Sequence, residues 1–78
     1  SERNPEFIPL SNFDEGKTGK VRIVLEKSEL TDTLEKAGLS PGRTIMVKKS
    51  NENSYDIETE NGTLSLDSDL ASKIIVQN

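Results

Sequence analysis

Neither cysteine nor histidine occurs among the 78 residues. Thiolate and imidazole metal sites, cysteine nucleophiles and histidine-dependent triads are therefore excluded. Disulfides are excluded too, which fits a reducing compartment. Tryptophan is absent, with one Tyr, two Phe and one Met present. Apolar residues make up only 31% of the chain, against about 45–50% with glycine included in ordinary domains. Such a chain builds one small core and has little material for a buried cofactor pocket or a deep cleft. No apolar run approaches the ~18 residues of a membrane-spanning helix. Positive charge is scarce as well. Ten Lys and Arg against fourteen Asp and Glu give −4, which disfavours phosphate backbones and anionic membranes as main partners. Residues 50–78 carry one Lys and six acids, so a surface built from that half is expected to be acidic.

What is present reads as short alternating strands. Residues 1–6 are polar and interrupted by Pro5, and are expected to be a linker or tag ahead of a domain over 7–78. Phe7-Ile8-Pro9-Leu10 suits an edge strand, because proline cannot donate to a central ladder. Asp14-Glu15-Gly16-Lys17 is a turn. From Gly19 to Leu25, Val21, Ile23 and Leu25 alternate with Lys20, Arg22 and Val24, predicting one buried face. Ser28 to Ala37 is predicted helical, with Leu30, Leu34 and Ala37 as its apolar stripe and Ser28 or Asp32 as its cap. Gly38 then supplies a left-handed stop and Leu39 its apolar partner. After the turn at Ser40-Pro41-Gly42, Thr44 to Lys49 buries Ile45 and Val47. Tyr55, Ile57 and Thr59 alternate into Asn61-Gly62, the strongest hairpin signal, and Leu64 and Leu66 continue the pattern. Asp67 caps one helical turn, and Ile74-Ile75-Val76 closes the chain. The expected fold is mainly β: a small SH3-like barrel of five to six short strands, with one inserted helix and a short helical turn near the C-terminus.

Chemistry is thinly represented. Glu26, Glu29, Asp32 and Glu35 share a helix face at i, i+3 spacing, but general acid–base work needs a desolvated cavity, and no enzyme is expected. Ser40-Pro41-Gly42-Arg43-Thr44 lacks the Lys-Ser/Thr pair and the following helix of a phosphate loop. Phe7, Phe13 and Tyr55 occupy expected core positions, leaving no stacking platform for nucleic acid. Divalent-cation binding through oxygen survives. Glu26 and Glu29, three apart at a strand-to-helix junction, are the candidate metal ligands. Asp67 and Asp69 form a second acidic pair. Two carboxylates bind a divalent ion weakly, so a useful site must borrow ligands from another domain or chain.

Ile8-Pro9-Leu10-Ser11, Glu15-Gly16-Lys17-Thr18-Gly19-Lys20-Val21, Leu34 through Gly42, Leu64-Ser65-Leu66 and Ala71 to Val76 appear in an order and spacing that resembles the FeoA-like domain over residues 7–78. Ala37-Gly38-Leu39-Ser40-Pro41-Gly42 ahead of an alternating strand is the most specific part. The resemblance implies an SH3-like barrel in bacterial or archaeal iron and manganese handling, used as an interaction module rather than an enzyme. Two settings follow from it. One is the C-terminal domain of metal-dependent repressors similar to the diphtheria toxin repressor; the other is a stand-alone cytosolic protein assisting the ferrous iron transporter FeoB.

Leu66-Asp67-Ser68-Asp69-Leu70-Ala71-Ser72-Lys73-Ile74 is similar to the repressors' closing segment, and the acidic Asp56, Glu58 and Glu60 depart from the more basic transporter partners. The repressor setting is therefore preferred. Its partners would be its own N-terminal regulator domains; in the other setting the partner is the cytosolic part of an iron transporter. Neither direct nucleic-acid contact nor membrane insertion is expected of this domain. In the repressor family this domain lends an acid and an amide, three residues apart, to a metal site. Aligned without a gap those positions fall on Lys27 and Leu30; a one-residue shift brings Glu26 and Glu29 there. The implied cofactor is a divalent transition metal, Fe2+ or Mn2+, shared with another domain and not held by this fragment alone. The surface near Met46 and Tyr55 is a further candidate for partner contact.

Overall fold

Alternating apolar side chains need one face covered, and here a single curving set of short strands supplies most of the cover. The computed structural model describes residues 6–25 and 29–78. Its strands are β1 (Phe7–Pro9), β2 (Thr18–Val24), β3 (Thr44–Ser50), β4 (Ser54–Thr59), β5 (Gly62–Asp67) and β6 (Ile74–Gln77). Its helices are α1 (Glu29–Lys36) and α2 (Ser68–Ala71), and a 3-10 turn spans Leu10–Asn12. All strands pair antiparallel in one sheet of order β1-β6-β2-β3-β4-β5. The fold is mainly β and SH3-like, as expected. The sheet is open, however: no ladder joins β5 to β1 among the described residues, so both edges that a closed barrel would remove are kept.

The core comprises Leu10, Phe13, Val21, Leu34, Leu39, Ile45, Val47, Tyr55, Ile57, Leu66, Ala71, Ile74 and Val76. Val47, Ile57 and Val76 alternate inward as their strands predict. Pro9 lies in the three-residue edge strand β1, where its missing N–H costs no central ladder bond. Of the expected linker or tag, residues 1–5 lie outside the described residues. Glu6 is exposed and extends the β1–β6 pairing, accepting from the Asn78 N–H at 3.2 Å.

The expectation for the second strand is half corrected. Val21 is buried, but Ile23 is 48% and Leu25 59% exposed, while Val24 packs against the core. The cause is a β-bulge. Val21 pairs with Val76 and Ile23 with Ile75, with the register shifting between them. Arg22 and Ile23 thus oppose one residue, and alternation restarts one step late. Phe7, also expected inside, is 59% exposed.

α1 begins within a residue of its predicted start. Ser28 lies outside the described residues, and Asp32 sits inside the helix, so it is not the cap. Leu34 alone of the stripe is fully buried; Leu30 is exposed and Ala37 half-buried. The stop is as predicted. Leu39 N–H donates to Leu34 O at 2.8 Å and Gly38 N–H to Glu35 O at 3.0 Å, a Schellman arrangement with Gly38 at φ +93°. The hairpin turn is displaced by one residue: Thr59 pairs with Gly62, so Glu60 and Asn61 are central and Gly62, at φ +124°, opens β5. Asp67 caps α2 as expected, accepting from Leu70 N–H at 2.7 Å.

Candidate functional site

β2 runs out at Val24, and Leu25 N–H still donates to Lys73 O at 2.8 Å on β6's approach. After residues 26–28, Glu29 opens α1, exposed, with Asp32 one turn on. Glu26 lies outside the described residues, so the candidate pair is represented by Glu29 alone. Acids in a first turn also complement the helix dipole, worth about 0.3–1 kcal/mol. Among the described residues no three acids gather as a cation site, and no pocket opens.

The second acidic pair is engaged locally. Asp67 Oδ1 is the α2 cap, and Asp69 meets Lys73 at 3.8 Å. The acidic half is likewise interrupted by the basic one. Arg43 pairs with Glu60 at 3.3 Å, Lys49 stands opposite Asp56 in the β3–β4 register, and Asp56 accepts from the Ser65 hydroxyl at 2.6 Å. The acidic surface expected from residues 50–78 is thus a patchwork. Nor does the Met46–Tyr55 surface form: Tyr55 is only 8% exposed, its hydroxyl donates to Ser11 O at 2.8 Å, and Met46 is half-buried. The aromatic ring and the hydroxyl both serve packing.

A different surface emerges on the outer side of β1, β6 and β2. Pro9 pairs with Ile75, and Ile75 with Ile23, so these three lie in one row across the strands. Phe7 precedes Pro9 by two positions, and Leu25 follows Ile23 by two, continuing the same face at both ends. The next row is Phe7, Gln77 and Lys20. Arg22, exposed at the bulge, donates to Gln77 Oε1. The face is apolar with a basic margin in an acidic protein. Strict alternation in β2 could have signalled it only with the bulge position known, and that is set by pairing with β6.

The family model for the FeoA domain matches residues 8–78. The crystal structure of an iron uptake regulatory protein (FeoA) is 27% identical, with a TM-score of 0.85, covering 94% of this chain and 100% of its own. A manganese-dependent transcriptional repressor in complex with manganese is 25% identical, with a TM-score of 0.78, covering 94% of this chain but 37% of its own. IdeR of T. acidophilum, at 21% identity and a TM-score of 0.77, covers 97% and 36% and shares the fold. Comparison with curated proteins finds no match. With the order of turns and strands, the shared fold and a family model spanning nearly all of it, the chain belongs to the FeoA domain family.

Proposed function

We propose that this chain is a non-enzymatic, cytoplasmic interaction domain in iron or manganese homeostasis, serving as the C-terminal domain of a metal-dependent transcriptional repressor. The domain is taken as residues 7–78, with 1–6 as linker or tag. The observation that carries the reading is the alignment, over 94% of this chain, with a part of a repressor whose structure holds manganese. In this reading Glu26 and Glu29 lend carboxylates to a metal completed by another domain. Their hard oxygen donors suit Mn2+ or Fe2+. Two carboxylates alone bind a divalent ion weakly, so the remaining ligands come from elsewhere. When bound, a metal bridging two domains favours the domain arrangement in which both contribute ligands. Its partners are then the repressor's own N-terminal domains.

A second reading is the stand-alone accessory protein of the ferrous iron transporter FeoB, acting on its cytosolic part. It is favoured by the FeoA structure, which this chain matches over its whole length.

An amide NMR titration with Mn2+, referenced to Mg2+, tests the metal reading. Broadening centred on residues 26–29 and lost in Glu26→Gln/Glu29→Gln is expected. Broadening spread over Asp56, Glu58, Asp67 and Asp69 instead would remove the site.

A further inference from the structure

The outer face of β1, β6 and β2 is not explained by either setting's metal chemistry. Phe7 and Leu25 are each 59% exposed and Ile23 48%, with Pro9 and Ile75 joining them in register. Small monomeric domains rarely leave a contiguous apolar face open without use for it. Charge is sorted as well. Lys20 and Arg22 lie along the margin, and none of the outward strand positions 7, 9, 20, 22, 23, 75 and 77 is an acid. Lys20 has no ion-pair partner among the described residues. In a chain of net charge −4, an acid-free apolar face is a specific surface rather than average surface.

From this geometry we propose that the β1-β6-β2 face docks an amphipathic helix of a protein partner, apolar along one stripe and bearing carboxylates on its flank beside Lys20 and Arg22. A face, unlike an edge, offers side chains and not free backbone groups, so its ligand must satisfy its own backbone, as a helix does. The outer two of three strands stand about 10 Å apart, close to the ~10–12 Å width of a helix. The cationic margin selects the sign of the flank. An anionic membrane is disfavoured because only Lys20 and Arg22 act against a net negative chain. A second copy would present the same acid-free face and so bring no carboxylate to Lys20 and Arg22.

The full chain, 15N-labelled, is titrated with a synthetic 14-residue helical peptide carrying Leu at i, i+3, i+4 and i+7 flanked by Glu. A matched peptide carries Lys in place of Glu. Amide shifts confined to residues 7–9, 20–25 and 73–77 are expected, with the Lys peptide bound on the order of 10-fold more weakly. Ile23→Ser/Leu25→Ser, at exposed positions, should weaken the Glu peptide on the order of 10-fold, and Lys20→Glu should reverse the preference between peptides. Absence of shifts, shifts elsewhere, or equal binding of both peptides overturns the proposal. So does preferential binding of vesicles of phosphatidylcholine and phosphatidylglycerol, or burial of the face in a dimer seen by sedimentation equilibrium. No readout involves a metal, so failure here leaves the Glu26/Glu29 reading standing, and the converse holds.

Discussion

The hydroxyl of Thr59 gathers three backbone groups at one point. It donates to Ala37 O at 2.7 Å, lies 3.1 Å from Gly62 O and accepts from Asn61 N–H at 3.0 Å. Asn61 Nδ2 adds a bond to Lys36 O at 2.9 Å. The end of α1 is thereby fastened to the β4–β5 turn, its terminal carbonyls satisfied by two side chains. Thr59→Val keeps the shape and removes the bonds, so a loss of roughly 1–3 kcal/mol is expected from urea denaturation. Thr59→Ser should recover most of it. Gly38 tests the same contact from the other side. A Cβ there would stand 2.6 Å from Thr59 Oγ1, at φ +93°. Gly42 has φ +95° but open space around it. Gly42→Ala should cost only backbone strain, about 1–2 kcal/mol. Gly38→Ala should cost visibly more in the same denaturation assay, because Thr59 must also move.

The bulge in β2 decides which isoleucine matters. Ile23 and Ile74 are near neighbours across the β2–β6 pairing, yet one is half-exposed and the other fully buried. Chemically identical truncations should separate sharply. Ile74→Ala is expected to lose about 2–5 kcal/mol through its cavity, and Ile23→Ala within about 0.5 kcal/mol of nothing. Equal losses would mean that the bulge is misplaced. α2 rests on its cap as much as on Ala71, the one buried residue it contributes. Asp67→Ala should destabilise by about 0.5–2 kcal/mol, with the weakened amide protection confined to Ser68–Ser72 and its neighbours on β5.

A domain this size buries a modest share of its surface, and its stability is concentrated where strands have two partners. Those are β6, β2, β3 and β4. β1 has one partner and three residues, and α1 buries only Leu34. Native-state hydrogen exchange should therefore find the slowest amides at Val21, Val47, Ile57 and Val76, and much faster exchange through Glu29–Thr33 and β1. Uniform protection across the chain would contradict this gradient. The two edges are also unequal. β1 is short and carries Pro9, whereas β5 runs six residues with neither proline nor lysine; β5 is thus the edge with less protection against unwanted pairing.

Local rules account for much of this protein without reference to contacts. Turn chemistry placed the stop of α1 at Gly38, the cap of α2 at Asp67 and the edge position of Pro9, because each depends on a few consecutive residues and a backbone angle. Alternation located β3 to β5 and much of the core for the same reason: its period is two and its signal is local. The family resemblance was legible too, being carried by the order of those turns. What needed the tertiary structure was every feature set by pairing between distant segments. The register of β2 against β6 inserts Arg22 as an extra residue and turns Ile23 and Leu25 outward. The position of Thr59 beside Gly38 places a turn at the foot of a helix, and the Tyr55 hydroxyl finds Ser11 from 44 residues away. Glu26 and Glu29 remained a spacing on paper, since spacing along a chain says which residues share a face but not what that face meets. The apolar, cation-edged surface belongs to the same class. Its residues come from three strands far apart in sequence, and only their side-by-side pairing makes them one site.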